Sequence, residues 1–103
     1  MLNASSLQAV YDRSADVLYV TRRREAAGRG VEDPNGIVWR YGGGGDVIGA
    51  TVLDFGETWF DRRAQLAGEI ARGFAISPSQ AADMVDRAFD DHALGGERRE
   101  RVR

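Results

Sequence analysis

"YDRSADVLYV", residues 11–20, is the stretch that indicates the kind of fold this chain adopts. Its second half, Val17 to Val20, consists of β-branched, aliphatic and aromatic residues, which favour a strand. Two carboxylates, Asp12 and Asp16, stand on either side of three residues at the point where the chain must reverse. Short acidic side chains accept hydrogen bonds from backbone N–H groups in such turns. The stretch therefore predicts a turn followed by a strand, with both carboxylates in structural roles.

Further strand-like segments follow, separated by residues that favour turns. Pro34-Asn35-Gly36 has turn chemistry, because Pro restricts φ while Asn and Gly tolerate positive φ. The Gly-rich run at 42–46, "GGGGD", is typical of a flexible hairpin turn, and the polar segment 22–30 is predicted to be a mobile loop. Strands are predicted at residues 7–11, 17–21, 37–41 and 47–53. Their close spacing predicts a four-stranded antiparallel β-meander.

After Gly56 the hydrophobic period changes from two residues to about 3.6, which indicates helix. Thr58 and Asp61 form a T-x-x-D capping box, so we expect a first helix to begin near Trp59 and to end at Gly73. One stripe of this helix is apolar and is predicted to face the core. It comprises Phe60, Ala64, Ala67, Ile70, Ala71 and Phe74.

A second helix is predicted from residues 77–80, "SPSQ". Ser77 suits the N-cap, Pro78 suits the first helical position, and Gln80 completes the capping pattern. This helix is expected to stop at Gly95-Gly96. Its apolar side carries Ala81, Met84, Val85, Ala88, Phe89 and His92. The whole chain is thus predicted to be an α+β domain with a flexible start (1–6), the β-meander (7–56), a helical hairpin packing on the sheet or on a partner (57–95) and a disordered tail (96–103).

Composition narrows the class of protein. The 103 residues suffice for one domain, and 43% hydrophobic and 29% charged residues are ordinary for a soluble globular protein. No apolar run approaches the ~20 residues of a membrane helix, so we expect a cytoplasmic protein. The absence of cysteine excludes disulfides and thiolate metal sites. The net charge of -2 provides no general attraction to nucleic acid.

Two motifs in the strand region carry a family resemblance. The pattern Y-D-x-x-A-D-x-L-Y-V at residues 11–20 resembles the start of a small bacterial family labelled a domain of unknown function. "GDVIGATVLDFG", residues 45–56, is similar to the second motif of that family, with Gly49, Leu53 and Asp54 matching. The chain departs from the family at Thr51, where Glu is usual, and in the long insert at 22–36. The resemblance covers about residues 7–56.

This resemblance says little about what the chain does. The family offers no established catalytic residues, but some members are encoded beside toxin-like ribonucleases. The resemblance therefore implies, by association, an antitoxin-like partner of a small toxin in a bacterial toxin–antitoxin module.

The sequence gives little support for a phosphate-binding, metal or catalytic site. "GGGGD" precedes a strand, whereas phosphate loops lead into a helix N-terminus. Asp83, Asp86 and Asp90 share one helix face, but His92 is the sole histidine, so no metal site is predicted. We expect no cofactor, no catalytic residue and no enzymatic activity. The alternative of a small uncharacterised enzyme would use Asp12, Asp16 and His92.

A second alternative is a nucleic-acid-binding regulator. All 14 basic residues are arginine, and two clusters interrupted by glutamate could contact nucleic acid. One lies in the loop at Arg22, Arg23 and Arg24. The other lies in the tail at Arg98, Arg99, Arg101 and Arg103.

Hydrophobic residues occur on both faces of the predicted sheet, and two helices are expected to cover only one face. Each large side chain left uncovered forfeits roughly 1.5–3 kcal/mol, which another chain recovers on binding. The sequence therefore favours a non-catalytic protein-binding domain that forms a homodimer or binds another protein, and the resemblance implies that this other protein is a small ribonuclease-type toxin. The predicted interface residues are Tyr19, Trp59, Phe60, Asp83, Met84, Asp86, Phe89 and Asp90.

Overall fold

The computed structural model describes residues 7–22 and 28–102, with side chains described as far as Asp90. In that part of the chain, five strands form one antiparallel sheet, and helices follow it. The strands are β1 (Gln8–Asp12), β2 (Val17–Thr21), β3 (Arg29–Glu32), β4 (Ile37–Tyr41) and β5 (Val47–Val52). The helical elements are α1 (Phe55–Trp59), a 3-10 turn (Phe60–Arg62), α2 (Arg63–Phe74) and α3 (Pro78–Val102). The α+β class is therefore confirmed.

The strand order is β1-β2-β5-β4-β3, which corrects the predicted four-stranded meander in two ways. The predicted strands at 17–21 and 37–41 have the observed bounds. The strand predicted at 7–11 is shifted by one residue, and the one predicted at 47–53 ends one residue earlier. An extra strand, β3, begins at the end of the segment predicted to be a loop and continues beyond it. Hydrophobic alternation does not reveal β3, because β3 is an edge strand and its four residues are all exposed. The last strand, β5, then lies between β2 and β4, where its Val and Ile residues are most deeply buried.

The first predicted helix is interrupted and begins earlier than expected. Helical structure begins at Phe55, so Thr58 lies inside α1, where its N–H donates to the carbonyl of Asp54 (2.8 Å) instead of capping a helix. The backbone of Arg62 (φ -130°) then separates α1 and the 3-10 turn from α2. This break changes the helical phase, so Phe60 and Ala64 of the predicted apolar stripe are exposed. The helix ends at Phe74, one residue after Gly73, with Ala75 in the left-handed region.

The start of the second predicted helix is confirmed. The hydroxyl of Ser77 accepts a hydrogen bond from the N–H of Gln80 (3.1 Å), and Pro78 is the first helical residue. The predicted stop at Gly95-Gly96 is wrong, because α3 continues to Val102. Two glycines cost a helix about 1 kcal/mol each relative to alanine, but the Glu and Arg residues that follow are good helix formers. The predicted tail, 96–103, therefore begins inside α3.

The core lies between one face of the sheet and the helices. It buries side chains from the three inner strands, β2, β4 and β5, and from every helix except the short 3-10 turn. Among the described residues, no helix is long and apolar enough to cross a membrane. The core residues are Leu18, Val20, Ile37, Trp39, Ala50, Val52, Phe55, Trp59, Leu66, Ala67, Ile70, Ala71, Phe74, Ala81, Val85, Ala88 and Phe89.

Candidate functional site

The carboxylate of Asp12 organises the turn between β1 and β2. It accepts hydrogen bonds from the N–H of Ser14 (3.0 Å), the hydroxyl of Ser14 (2.8 Å) and the N–H of Ala15 (3.3 Å). The Ser14 hydroxyl, followed by the Ala15 N–H, lowers the pKa of Asp12 below its ordinary value, because these bonds favour the charged form. This is the structural role predicted for Asp12.

Asp16 joins the same turn to the start of α1. It adopts a left-handed backbone (φ 57°), and its carboxylate accepts hydrogen bonds from the N–H groups of Gly56 (2.8 Å) and Glu57 (3.3 Å). The Tyr11 hydroxyl donates to the same carboxylate (2.7 Å). Burial, then this hydrogen bond to an anion, raises the pKa of Tyr11 well above its ordinary value. Asp16 therefore caps a helix that lies 40 residues away in sequence.

Two more carboxylates approach Asp16 at this corner. Oxygen atoms of Asp16, Asp54 and Glu57 lie within 4.8 Å of one another, and Asp54 and Glu57 are exposed. Carboxylate oxygens are ligands for hard cations such as Ca²⁺. The carboxylate of Asp16, however, already accepts three hydrogen bonds that hold α1 and β1 together. No local sequence pattern marks this cluster, because Asp54 lies 38 residues after Asp16.

The face of the sheet opposite the helices carries a row of directly paired residues, which we call the open-face row. It runs across all five strands as Val10, Tyr19, Thr51, Val38 and Glu32. Val10 is 62% exposed and Tyr19 is 40% exposed, although both are large hydrophobic residues. Side chains along a strand alternate between the two faces of the sheet. The open-face row therefore lies on the face opposite Leu18 and Val20, which belong to the core, and no described helix covers it. The open face expected from the sequence is present.

Arg40 lies beside the open-face row and shields its centre. Its guanidinium donates to the hydroxyl of Thr51 (3.2 Å from Nη2), and its aliphatic carbons lie close to Gly49. This contact explains why Thr51 is only 7% exposed on a face without helices. Thr51 thus supplies a neutral acceptor for an arginine.

The interface prediction needs correcting at Trp59 and Phe89. The side chain of Trp59 is fully buried, and Phe89 stacks on Phe55 with ring centroids 4.1 Å apart. No partner can reach either ring without unpacking the core. The predicted apolar stripe of the first helix included Phe60 and not Trp59. The structure instead buries Trp59 and leaves Phe60 54% exposed.

The remaining predicted interface residues lie on the surface of α3. Asp83, Asp86 and Asp90 are exposed along one side of the helix, and we call them the acidic stripe. Arg63 approaches Asp86 (3.7 Å) while its guanidinium lies over the ring of Phe60 (5.1 Å to the centroid). Arg63 therefore contacts both the acidic stripe and Phe60 and connects the two. Met84, which is half-buried, lies on a different side, facing β1.

Residues behind the two alternative functions are only partly described. The guanidinium of Arg22 donates to the carbonyl of Phe74 and lies over its ring (5.4 Å), so this arginine helps to hold the C-terminal end of α2. Arg23 and Arg24, and the side chains of the tail arginines and of His92, lie outside the described residues. The described part of the structure thus ties Asp12, Asp16 and Arg22 to the fold.

The sequence predicts that Tyr19 and Val38 lie on the same face of the sheet, but it does not identify Val10 as the neighbour of Tyr19 there. The missing information was the strand register, since Tyr19 pairs with both Val10 and Thr51 only once β5 is placed beside β2. Comparison with known proteins adds no constraint. No family model, curated protein or solved structure matches this chain.

Proposed function

We propose that this chain is a non-catalytic protein-binding domain that self-associates through the open face of its sheet. The observation that carries this proposal is the open-face row, in which Val10 and Tyr19 stay exposed while the helices cover the opposite face. A two-fold symmetric contact places the same patch of each copy against the other, so an apolar patch is self-complementary. Facing sheets pack about 10 Å apart through such side chains.

The size of the open face sets the expected strength of this dimer. Five strands about 4.8 Å apart, each about five residues of ~3.3 Å, give roughly 400 Å² of projected area. Standard interfaces bury ~800 Å² per partner, so the sheet alone provides less than a typical permanent dimer. We therefore expect a weak dimer whose population depends on protein concentration.

The experiment is a measurement of molecular mass in solution by sedimentation over a range of protein concentrations. The Tyr19→Lys variant should stay monomeric at concentrations where the parent dimerises, because the new charge would be buried at the interface. Val31→Lys is the matched control: Val31 is similarly exposed (42%), but it pairs with Trp39 and so lies on the helix side of the sheet. A parent that stays monomeric throughout, or equal dimerisation of both variants, contradicts the proposal.

We propose further that the bound partner is a small basic toxin of the ribonuclease type. The family resemblance supplies the class of partner, and the exposed acidic stripe supports it, because carboxylates there attract a basic RNA-binding surface. Blocking that surface would prevent RNA binding without any chemistry by this chain. The structural engagement of Asp12 and Asp16 also supports a non-catalytic function over the small-enzyme alternative.

A further inference from the structure

A cleft separates the edge strand β1 from the first half of α3. Its volume is about 360 Å³, which is within the ~300–1,000 Å³ range of ligand pockets. Leu7, Ala9 and Tyr11 line the strand side, since alternate residues of β1 face the helix. Gln80, Met84 and Arg87 line the helix side at helical spacing. The cleft is thus a groove that runs between a strand and a helix.

The strand wall of this groove is the edge of the described sheet. Among the described residues, β1 is hydrogen-bonded to β2 on one side and has no strand on the other. In an antiparallel pair, alternate residues direct their N–H and C=O groups toward the partner strand and the others direct them away. The outward groups of an edge strand are a template for an added strand. A segment paired to β1 would place every second side chain on the groove side.

The helix wall contributes one cation. Arg87 is exposed and forms no ion pair with any carboxylate whose side chain the structure describes. At 100° per residue, Arg87 lies between the groove residues Gln80 and Met84 on one side and the acidic stripe on the other. A single carboxylate can therefore approach Arg87 from the groove. A polyanion such as nucleic acid would also meet the acidic stripe, which repels it.

We propose that this groove binds an extended peptide segment that adds to β1, places alternate apolar side chains between β1 and α3, and directs one carboxylate to Arg87. In this mode of recognition the main-chain hydrogen bonds give affinity and the pockets for alternate side chains give specificity. The proposal does not rest on self-association through the open face, because none of the groove-lining residues belongs to the open-face row.

The probe is a display library of random 12-residue peptides, selected on the immobilised full chain. Peptides with an apolar residue at every second position and an Asp or Glu at one shared position should be enriched on the parent chain. They should not be enriched on a surface coated with the Ala9→Trp variant. Ala9 is exposed, so a tryptophan there fills the groove without disturbing the core. The best peptide is then synthesised with a fluorescent label, and its affinity is measured by fluorescence anisotropy.

Ala9→Trp and Arg87→Glu should each weaken this affinity at least tenfold, while Ala64→Trp and Arg72→Glu, exposed on α2, should leave it unchanged. Replacing the peptide carboxylate by its amide should weaken binding to the parent chain but not to Arg87→Glu. Arg87→Glu tests the site independently if Ala9→Trp misfolds.

Three results overturn the proposal: no enrichment over the Ala9→Trp surface, equal affinity of all four variants, or full competition by acetate at the same carboxylate concentration. The Tyr19→Lys variant should bind the peptide with the same affinity as the parent. The peptide test therefore does not depend on whether the open-face dimer forms.

Discussion

The indole ring of Trp39 lies directly against the backbone of Gly73, so that a Cβ atom at position 73 would stand 2.3 Å from two ring carbons. The same indole packs against Phe74 (ring centroids 5.9 Å apart), and its N–H donates to the carboxylate of Asp33 (2.9 Å). Trp39 on β4 therefore joins the β3–β4 turn to the C-terminal end of α2. This contact determines how closely the helix layer approaches the sheet.

Gly73→Ala should destabilise the protein by about 1–3 kcal/mol, because the added methyl group overpacks the contact with Trp39. Gly68→Ala on the same helix is the matched control. The nearest atom to a Cβ at position 68 is a guanidinium nitrogen of Arg72, 3.7 Å away. That change should stabilise the protein by about 0.5–1 kcal/mol through helix propensity. Urea unfolding of both variants is the measurement, and shifts of the same sign would contradict the role of Gly73.

Asp33→Asn should reduce stability at neutral pH by about 1–3 kcal/mol, because one amide oxygen cannot serve both the turn and the indole. The Asp33 carboxylate accepts from the N–H groups of Asn35 (2.8 Å) and Ile37 (3.1 Å) as well as from Trp39. Burial alone would raise the pKa of Asp33, but these hydrogen bonds outweigh it and hold the pKa below its ordinary value.

The sign of the pH dependence follows from that lowered pKa. A carboxyl whose pKa falls on folding contributes stability above its unfolded pKa of about 3.9, and this contribution is lost as the pH falls through the folded pKa. The difference between parent and Asp33→Asn should therefore be largest at pH 7 and shrink near pH 2.5 in urea unfolding. Asp61→Asn, at an exposed position, is the control. A difference independent of pH would count against this account.

Asp16→Ala should cost about 2–3 kcal/mol of unfolding free energy. The change removes the acceptor for the α1 N–H groups, worth about 0.5–2 kcal/mol, and leaves alanine in a left-handed conformation, which costs about 1–2 kcal/mol. Asp16→Asn should cost less, because asparagine tolerates that conformation and keeps one acceptor. Thermal and urea unfolding measure both. Equal losses of stability in the two variants would contradict this account of Asp16.

Replacing Asp83, Asp86 and Asp90 together by Asn should slow association with a basic toxin-like partner at least tenfold at low salt, because long-range attraction raises association rates. The stripe is exposed, so stability should change little. The measurement is the association rate with small basic proteins encoded beside this chain, at low and high salt. Asp61→Asn, outside the stripe, is the control. An association rate that is unchanged by the triple substitution would exclude the charge-mimicry mechanism.

Much of the local structure was predictable because it depends on neighbouring residues. Ser77 and Pro78 begin α3 as their chemistry predicts, and β2 and β4 have the predicted bounds. The exposed edge strand β3 was not predictable from hydrophobic alternation, since burial does not select its residues. Likewise, the capping box at Thr58 gave the wrong helix start, because Asp16, far away in sequence, supplies the cap for α1.

The sequence by itself determined the α+β class, the turn around Asp12 and the hydrophobic surplus on the strands, because each depends on contacts within a few residues. Only the tertiary structure decided that β5 lies between β2 and β4, which aligns Val10, Tyr19 and Val38 on one uncovered face. It also decided that Trp59 is buried while Phe60 is exposed, and that Arg87 borders a groove beside β1. These features depend on strand register and helix phase, which arise from the simultaneous packing of segments distant in the chain.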